Sequence, residues 1–107
     1  MDLELSQKVV LVTGSSRGLG FAIARKLGDE GCHVVMNGRD GAMLEESQKQ
    51  INNGALAFKA DVTSADECAW LIQQIEIQFG RLDILVCNVG SGTSVPPGKE
   101  TPKEWNR

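Results

Sequence analysis

Val9-Val10-Leu11-Val12-Thr13-Gly14-Ser15-Ser16-Arg17-Gly18-Leu19-Gly20 is the stretch that decides the fold. Val9 to Val12 are apolar on both faces, as in a parallel strand covered by helices above and below. A glycine-rich turn follows at once, and a helical pattern opens inside it. The glycines let the backbone turn tightly and approach a ligand that a Cβ would block. The unpaired N–H groups of the helix start, together with its dipole, favour negative charge. This strand–turn–helix context points to the pyrophosphate cradle of a doubly wound fold. The spacing is Gly-x-x-x-Gly-x-Gly rather than the general Gly-x-Gly-x-x-Gly. The competing reading is an ordinary glycine-rich turn without a ligand.

Outward from that turn, Leu19, Ala22, Ile23 and Leu27 recur at helical spacing, and Gly31 ends the helix. Val34 to Met36 form a second strand. Met43, Leu44, Ser47 and Ile51 suggest a weaker helix that ends at Asn52-Asn53-Gly54, and residues 55–60 form a third strand. Ser64 and Glu67 have the spacing of a capping box. Behind them, Cys68, Leu71, Ile72, Ile75 and Phe79 make the clearest amphipathic stripe, closed by Gly80. Ile84 to Cys87 form a fourth strand. Strands and helices alternate, so right-handed crossovers predict an α/β architecture, an open parallel sheet of about four strands with helices on both faces.

The 107 residues suit one domain, and 41% apolar residues exclude a disordered chain. No apolar run approaches the ~18 residues of a membrane span, and no basic region precedes an apolar one as in a secretory signal. A net charge of −3 without a basic stripe argues against nucleic acid as a partner. Cys32, Cys68 and Cys87 have no metal-ligand or redox-pair spacing, and are expected to be reduced, buried thiols of a cytoplasmic protein. His33, Trp70 and Trp105 are expected to be surface or packing residues. Residues 90–107 read as a Gly/Ser/Pro-rich loop followed by a helix start at Thr101-Pro102-Lys103-Glu104. One turn does not sustain itself, so the chain is expected to stop inside an element, as one incomplete domain over residues 1–107.

Thr13-Gly14-x-x-x-Gly18-x-Gly20, Asp61-Val62 after the third strand, and Leu85-Val86-Cys87-Asn88-Val89-Gly90 after the fourth keep their register through the chain. With these motifs the chain resembles the N-terminal, cofactor-binding half of the short-chain dehydrogenase/reductase family. Within the family, the 3-oxoacyl-carrier-protein reductases look like the nearest well-known group. The resemblance implies a Rossmann fold with strand order third, second, first, fourth. It implies a nicotinamide dinucleotide held by Gly14, Ser16, Arg17, Gly18, Leu19, Gly20, Arg39, Asp61, Val62, Asn88 and Gly90. Asp61 would take the adenine amino group while the Val62 backbone contacts the ring; the plainer reading has Asp61 satisfying its own turn.

Two departures from the family stand out. Cys87 and Val89 occupy the first Asn and the Ala of its Asn-Asn-Ala-Gly motif, which is expected to change packing more than chemistry. The family's catalytic Ser, Tyr and Lys have no counterpart among these residues, and the chain contains no tyrosine. Ser91, Ser94, Lys99 and Lys103 are expected to be solvated loop residues, so no catalytic residue is assigned.

The end of the second strand discriminates between nicotinamide cofactors. An acid there binds a ribose 2′-hydroxyl and repels a 2′-phosphate. Here the position is Gly38, followed by Arg39, with Arg17 in the glycine turn. Guanidinium groups pair with phosphate through two parallel N–H bonds. NADP(H) is therefore expected over NAD(H), with Asp40 tempering the positive field. The alternative leaves both arginines as solvated surface charges. The implied parent is a short-chain oxidoreductase that moves hydride between the nicotinamide and a small-molecule carbonyl or hydroxyl substrate. The alternative is a non-catalytic dinucleotide-binding or interaction module. No charge or proline guards Ile84 to Val89, so an uncovered fourth strand is expected to pair with another copy, giving a homo-oligomer.

Overall fold

The computed structural model describes residues 5–88. Gly90, the loop over residues 90–107 and the Thr101 helix start lie outside the described residues. The element order is β1 (Val9–Val12), α1 (Gly18–Asp29), β2 (His33–Gly38), α2 (Gly41–Gln48), β3 (Leu56–Lys59), α3 (Ala65–Phe79) and β4 (Ile84–Val86). The four strands form one sheet in the order β3-β2-β1-β4. All pairings are parallel: Val10 faces Val34 and Ile84, and Gly38 faces Lys59.

The period of two along β1 sorts its side chains into two cores. Val10 and Val12 join Ala24, Val34, Met36 and Leu44 on the face covered by α1 and α2. Val9 and Leu11 join Val35, Leu71 and Ile75 on the face covered by α3. All four β1 residues are buried, as a strand covered on both faces requires. The expected α/β doubly wound layering is therefore present.

Several local details differ from the sequence expectation. Of the expected α1 stripe, Ile23 and Leu27 pack against the core whereas Leu19 and Ala22 are exposed; the fully buried α1 positions are Gly20, Ala24 and Gly28, at i, i+4 and i+8. Leu19 is 68% exposed. Small residues let this helix sit close: a Cβ on Gly28 would press on the Asn52 carbonyl and the Ile51 side chain, each 2.8 Å away. Strand β2 runs two residues beyond Met36, because Asn37 finds partners inside the fold. Helix α2 ends at Gln48, and Ile51 enters the core from the turn beyond it. The α3 box is half formed. Ser64 Oγ accepts from Glu67 N at 3.3 Å, whereas Glu67 Oε1 accepts from Asp61 N at 2.8 Å rather than from the cap residue. Cys32 alone of the three cysteines is buried; Cys68 is half-buried and Cys87 exposed. Burial pushes the Cys32 thiol pKa up.

At the other end of the sheet, Asp83 Oδ2 accepts from Val9 N at 2.8 Å and from Arg81 Nε at 3.0 Å. The Val9 bond, more than the Arg81 partner, holds the Asp83 carboxyl below its ordinary value. This clamp ties the start of β1 to the approach of β4.

Candidate functional site

The carboxyl ends of four parallel strands converge on one edge of the sheet, where a doubly wound fold leaves a crevice. The first wall is the β1–α1 turn, fastened to the end of β4. Thr13 N donates to the Val86 carbonyl at 3.0 Å, and Thr13 Oγ1 accepts from Asn88 N at 2.9 Å. Asn88 Nδ2 donates to the Gly14 carbonyl at 3.1 Å. Two glycines make that approach possible. A Cβ on Gly14 would collide with the Asn88 carbonyl, and one on Gly20 with the Gly14 carbonyl. These two glycines serve the protein's own packing. Gly18 shares a positive φ with Gly14, 63° against 59°, but the space its Cβ would enter is open. Of the three glycines, Gly18 alone has its missing side chain facing open space.

Arg17 is the N-cap of α1 in extended conformation, and its side chain does not cap the helix. The N–H groups of Gly18, Leu19 and Gly20 belong to the first turn of this 12-residue helix. By contrast, Asp40 caps α2, with Oδ1 accepting from Met43 N at 3.1 Å, and Ser64 caps α3. The glycine turn thus offers backbone donors beside an open surface, which suits a pyrophosphate.

The second wall is the end of β2. Ser15 and Asn37, both buried, lock the turn onto this strand. Ser15 N donates to the Asn37 carbonyl at 2.8 Å, and Asn37 N donates to Ser15 Oγ at 2.9 Å. Asn37 Nδ2 reaches across to β3 and donates to the Phe58 and Ala60 carbonyls at 3.2 and 3.0 Å. Its Oδ1 accepts from Gly14 N at 3.4 Å. Ser47 Oγ of α2 donates to the Ser16 carbonyl. Asn37 is not among the site residues expected from the sequence, because a lone amide beside Gly38 at the end of an apolar run reads as a turn former.

This lock sets Ser16-Arg17 against Gly38-Arg39. A Cβ on Gly38 would stand 3.1 Å from Ser16 Oγ and 3.2 Å from Ser16 Cβ. A side chain there would crowd Ser16 by a few tenths of an ångström, and the discriminating position is left uncharged. Arg39 is exposed. Asp40, expected only to temper the positive field, is engaged as the α2 cap.

The third wall follows β3. Arg39, Lys59, Ala60, Asp61 and Glu67 line a shallow recess. Asp61 Oδ1 accepts from Thr63 Oγ1 at 2.6 Å and Thr63 N at 3.0 Å. Those two bonds, with a smaller contribution from the Arg39 guanidinium, hold its carboxyl below the ordinary value. The turn-satisfying reading of Asp61 therefore holds for Oδ1. Val62 is half-buried and packs against the core on the α3 side. The structure thus brings Gly14, Ser16, Arg17, Gly18, Leu19 and Gly20 together with Asn88 and the β2 end, and places Asp61 with Arg39. Among the described residues no group of His, Cys, Asp and Glu forms a metal site. No described helix is long and apolar enough to cross a membrane.

Comparison with known proteins agrees with this geometry. The family model described as short chain dehydrogenase matches residues 8–107. A probable 2,4-dienoyl-CoA reductase of Bacillus subtilis is 38% identical over 104 residues, covering 94% of this chain and 41% of the relative. L-sorbose reductase from Gluconobacter frateurii, solved with NADPH and L-sorbose, superposes with a TM-score of 0.80 at 31% identity. That match covers 98% of this chain and 41% of the reductase. YwfH, an NADPH-dependent reductase involved in bacilysin biosynthesis, gives 0.77 at 32% identity, over 82% of this chain and 39% of its own. The chain thus spans about two fifths of the length of these relatives. With the family model matching nearly the whole chain and the glycine turn, parallel sheet and strand order all in place, the chain belongs to the short chain dehydrogenase family.

Proposed function

We propose that this chain is the cofactor-binding part of an NADP(H)-dependent oxidoreductase acting between a carbonyl and its alcohol. One observation carries the reading: the Ser15–Asn37 lock sets Ser16, the neighbour of Arg17 in the chain, against Gly38, where an acidic residue is missing and Arg39 follows. Two cations and no 2′-hydroxyl acceptor at that corner suit a ribose 2′-phosphate. The NADPH named for L-sorbose reductase and for YwfH supports the same cofactor here. In this reading the pyrophosphate lies over the first turn of α1, at Gly18, Leu19 and Gly20. Asp61 and Val62 border the adenine, and Asn88 borders the ribose–nicotinamide end. When bound, the nicotinamide supplies the hydride. What this chain's residues contribute is orientation: the lock and the Asn88 bonds hold the turn in shape before the ligand arrives. With no tyrosine in the chain, we assign it no acid–base group, and the reading gives these residues alone no turnover. The open outer edge of β4 among the described strands supports self-association.

Calorimetric titration with NADPH and NADH tests the reading. Wild type is expected to prefer NADPH. Arg39→Ala removes a charge-assisted phosphate contact of about 1.5–3 kcal/mol, so NADPH affinity is expected to fall about 10- to 150-fold. NADH affinity changes little. Equal affinities in wild type overturn the proposal.

A further inference from the structure

Lys59 stands in register with Gly38 across the β2–β3 pair. Paired residues of neighbouring strands project to the same side of a sheet. Lys59 therefore rises on the side where an acidic discriminator at position 38 would have stood. Its Cδ lies 3.6 Å from the point a Cβ on Gly41 would occupy, so the stem runs along the first residue of α2. Lys59 and Arg39 both line the recess at the end of β3. The recess also holds two carboxylates, each with one oxygen taken up by a hydrogen bond. Asp61 Oδ1 holds Thr63, and Glu67 Oε1 holds the Asp61 N–H. The ion pairs among the described residues are Lys26–Glu30, Lys49–Glu46 and Arg81–Asp83, which leave Arg39 and Lys59 unpaired. Arg39 and Lys59 are thus two cations on one recess, neither in an ion pair, and a phosphate drawn between them gains from both charges.

We propose that Lys59 is a specificity-determining residue, a third cation that joins Arg17 and Arg39 in selecting a dinucleotide with a ribose 2′-phosphate. The assignment rests on the NADP(H) reading above and adds β3 to the elements that enforce it. Lys59 supplies a point charge on a flexible stem, whereas the arginines supply a planar fork. Its role is therefore charge attraction rather than shape recognition.

Titration of the full chain with 2′,5′-ADP and with 5′-AMP isolates the 2′-phosphate. Lys59→Met keeps the stem and removes the charge. It is expected to weaken 2′,5′-ADP about tenfold, the loss of one charge-assisted contact, and to leave 5′-AMP unchanged. Lys59→Arg is expected to restore 2′,5′-ADP binding, and added salt to shrink the wild-type advantage over Lys59→Met. Arg39→Ala is measured in parallel. If it loses 2′,5′-ADP while Lys59→Met binds both probes like wild type, Lys59 has no part and the NADP(H) reading stands. Equal loss of both probes in Lys59→Met assigns the residue a structural role and overturns the proposal. A wild type that does not distinguish the probes overturns the reading and the assignment together.

Discussion

Asn37→Asp is close to isosteric and strikes the point where the glycine turn, β2 and β3 are joined. Asn37 is 1% exposed, and its Nδ2 donates to the Phe58 and Ala60 carbonyls at 3.2 and 3.0 Å. Aspartate has no N–H. Ionised, it points a charge at two carbonyl oxygens; protonated, it satisfies one of them. Each buried group left without a partner costs about 1–3 kcal/mol, and an unpaired buried charge costs more. Losing both bonds therefore gives at least about 3 kcal/mol at neutral pH, a large part of the roughly 5–15 kcal/mol that holds a domain together. The pH dependence has a definite sign. Burial and the two carbonyls raise the folded-state pKa of the new carboxyl above its unfolded value near ~3.9. The folded state then holds its proton longer, so the defect is smallest below the unfolded pKa and grows as pH rises through the folded one. Urea denaturation of wild type and Asn37→Asp across a pH series, followed by circular dichroism, measures this directly. A variant within about 0.5 kcal/mol of wild type at neutral pH, or one whose defect grows on acidification, refutes the role given to Asn37.

Other substitutions test separate parts of the account. Gly14→Ala and Gly20→Ala are expected to cost more than Gly18→Ala in the same melts, because the first two collide with backbone whereas Gly18→Ala meets open space and costs only about 1–2 kcal/mol of backbone strain. Asp83→Asn is expected to lower wild-type stability above the ordinary carboxylate range and to flatten its acid limb. The depressed pKa of Asp83 means its contribution is present above the unfolded value and lost as pH falls through the folded one. Ser64→Ala removes the α3 cap and is expected to cost about 1 kcal/mol by chemical denaturation.

Sequence carried the framework because long-range rules dominate there. Alternating strands and helices with right-handed crossovers leave little choice of topology, and the burial of every β1 residue follows from its apolar run. The face of α1 was harder to read. Ile23 and Leu27 pack as their hydrophobicity suggests, but Leu19 and Ala22 do not; the closest approaches are made by Gly20 against Gly14 and Gly28 against Ile51 and Asn52, where side-chain size rather than hydrophobicity decides. Asn37 was illegible for the opposite reason. An amide near a strand end reads as a turn former, and only the fold reveals two β3 carbonyls and the Gly14 N–H within its reach. The glycine motif was found, yet its division of labour was not: Gly14 and Gly20 serve internal contacts, and Gly18 faces the open side. Glu67 was read as half of a capping box, whereas its carboxylate bonds the Asp61 N–H and braces the edge of the site.

The central claim is that a nicotinamide dinucleotide lies across the carboxyl ends of β1, β2 and β3, over the first turn of α1. Amide chemical-shift mapping of the isotope-labelled full chain during NADPH titration tests that most directly. The account predicts the largest shifts at residues 14–20, 37–41 and 61–62 and at Asn88, with little change along the exposed side of α3 around Trp70 and Ile77. Saturable binding whose shifts cluster on α3 or at the Asp83 end of the sheet, leaving the glycine turn unperturbed, would contradict it.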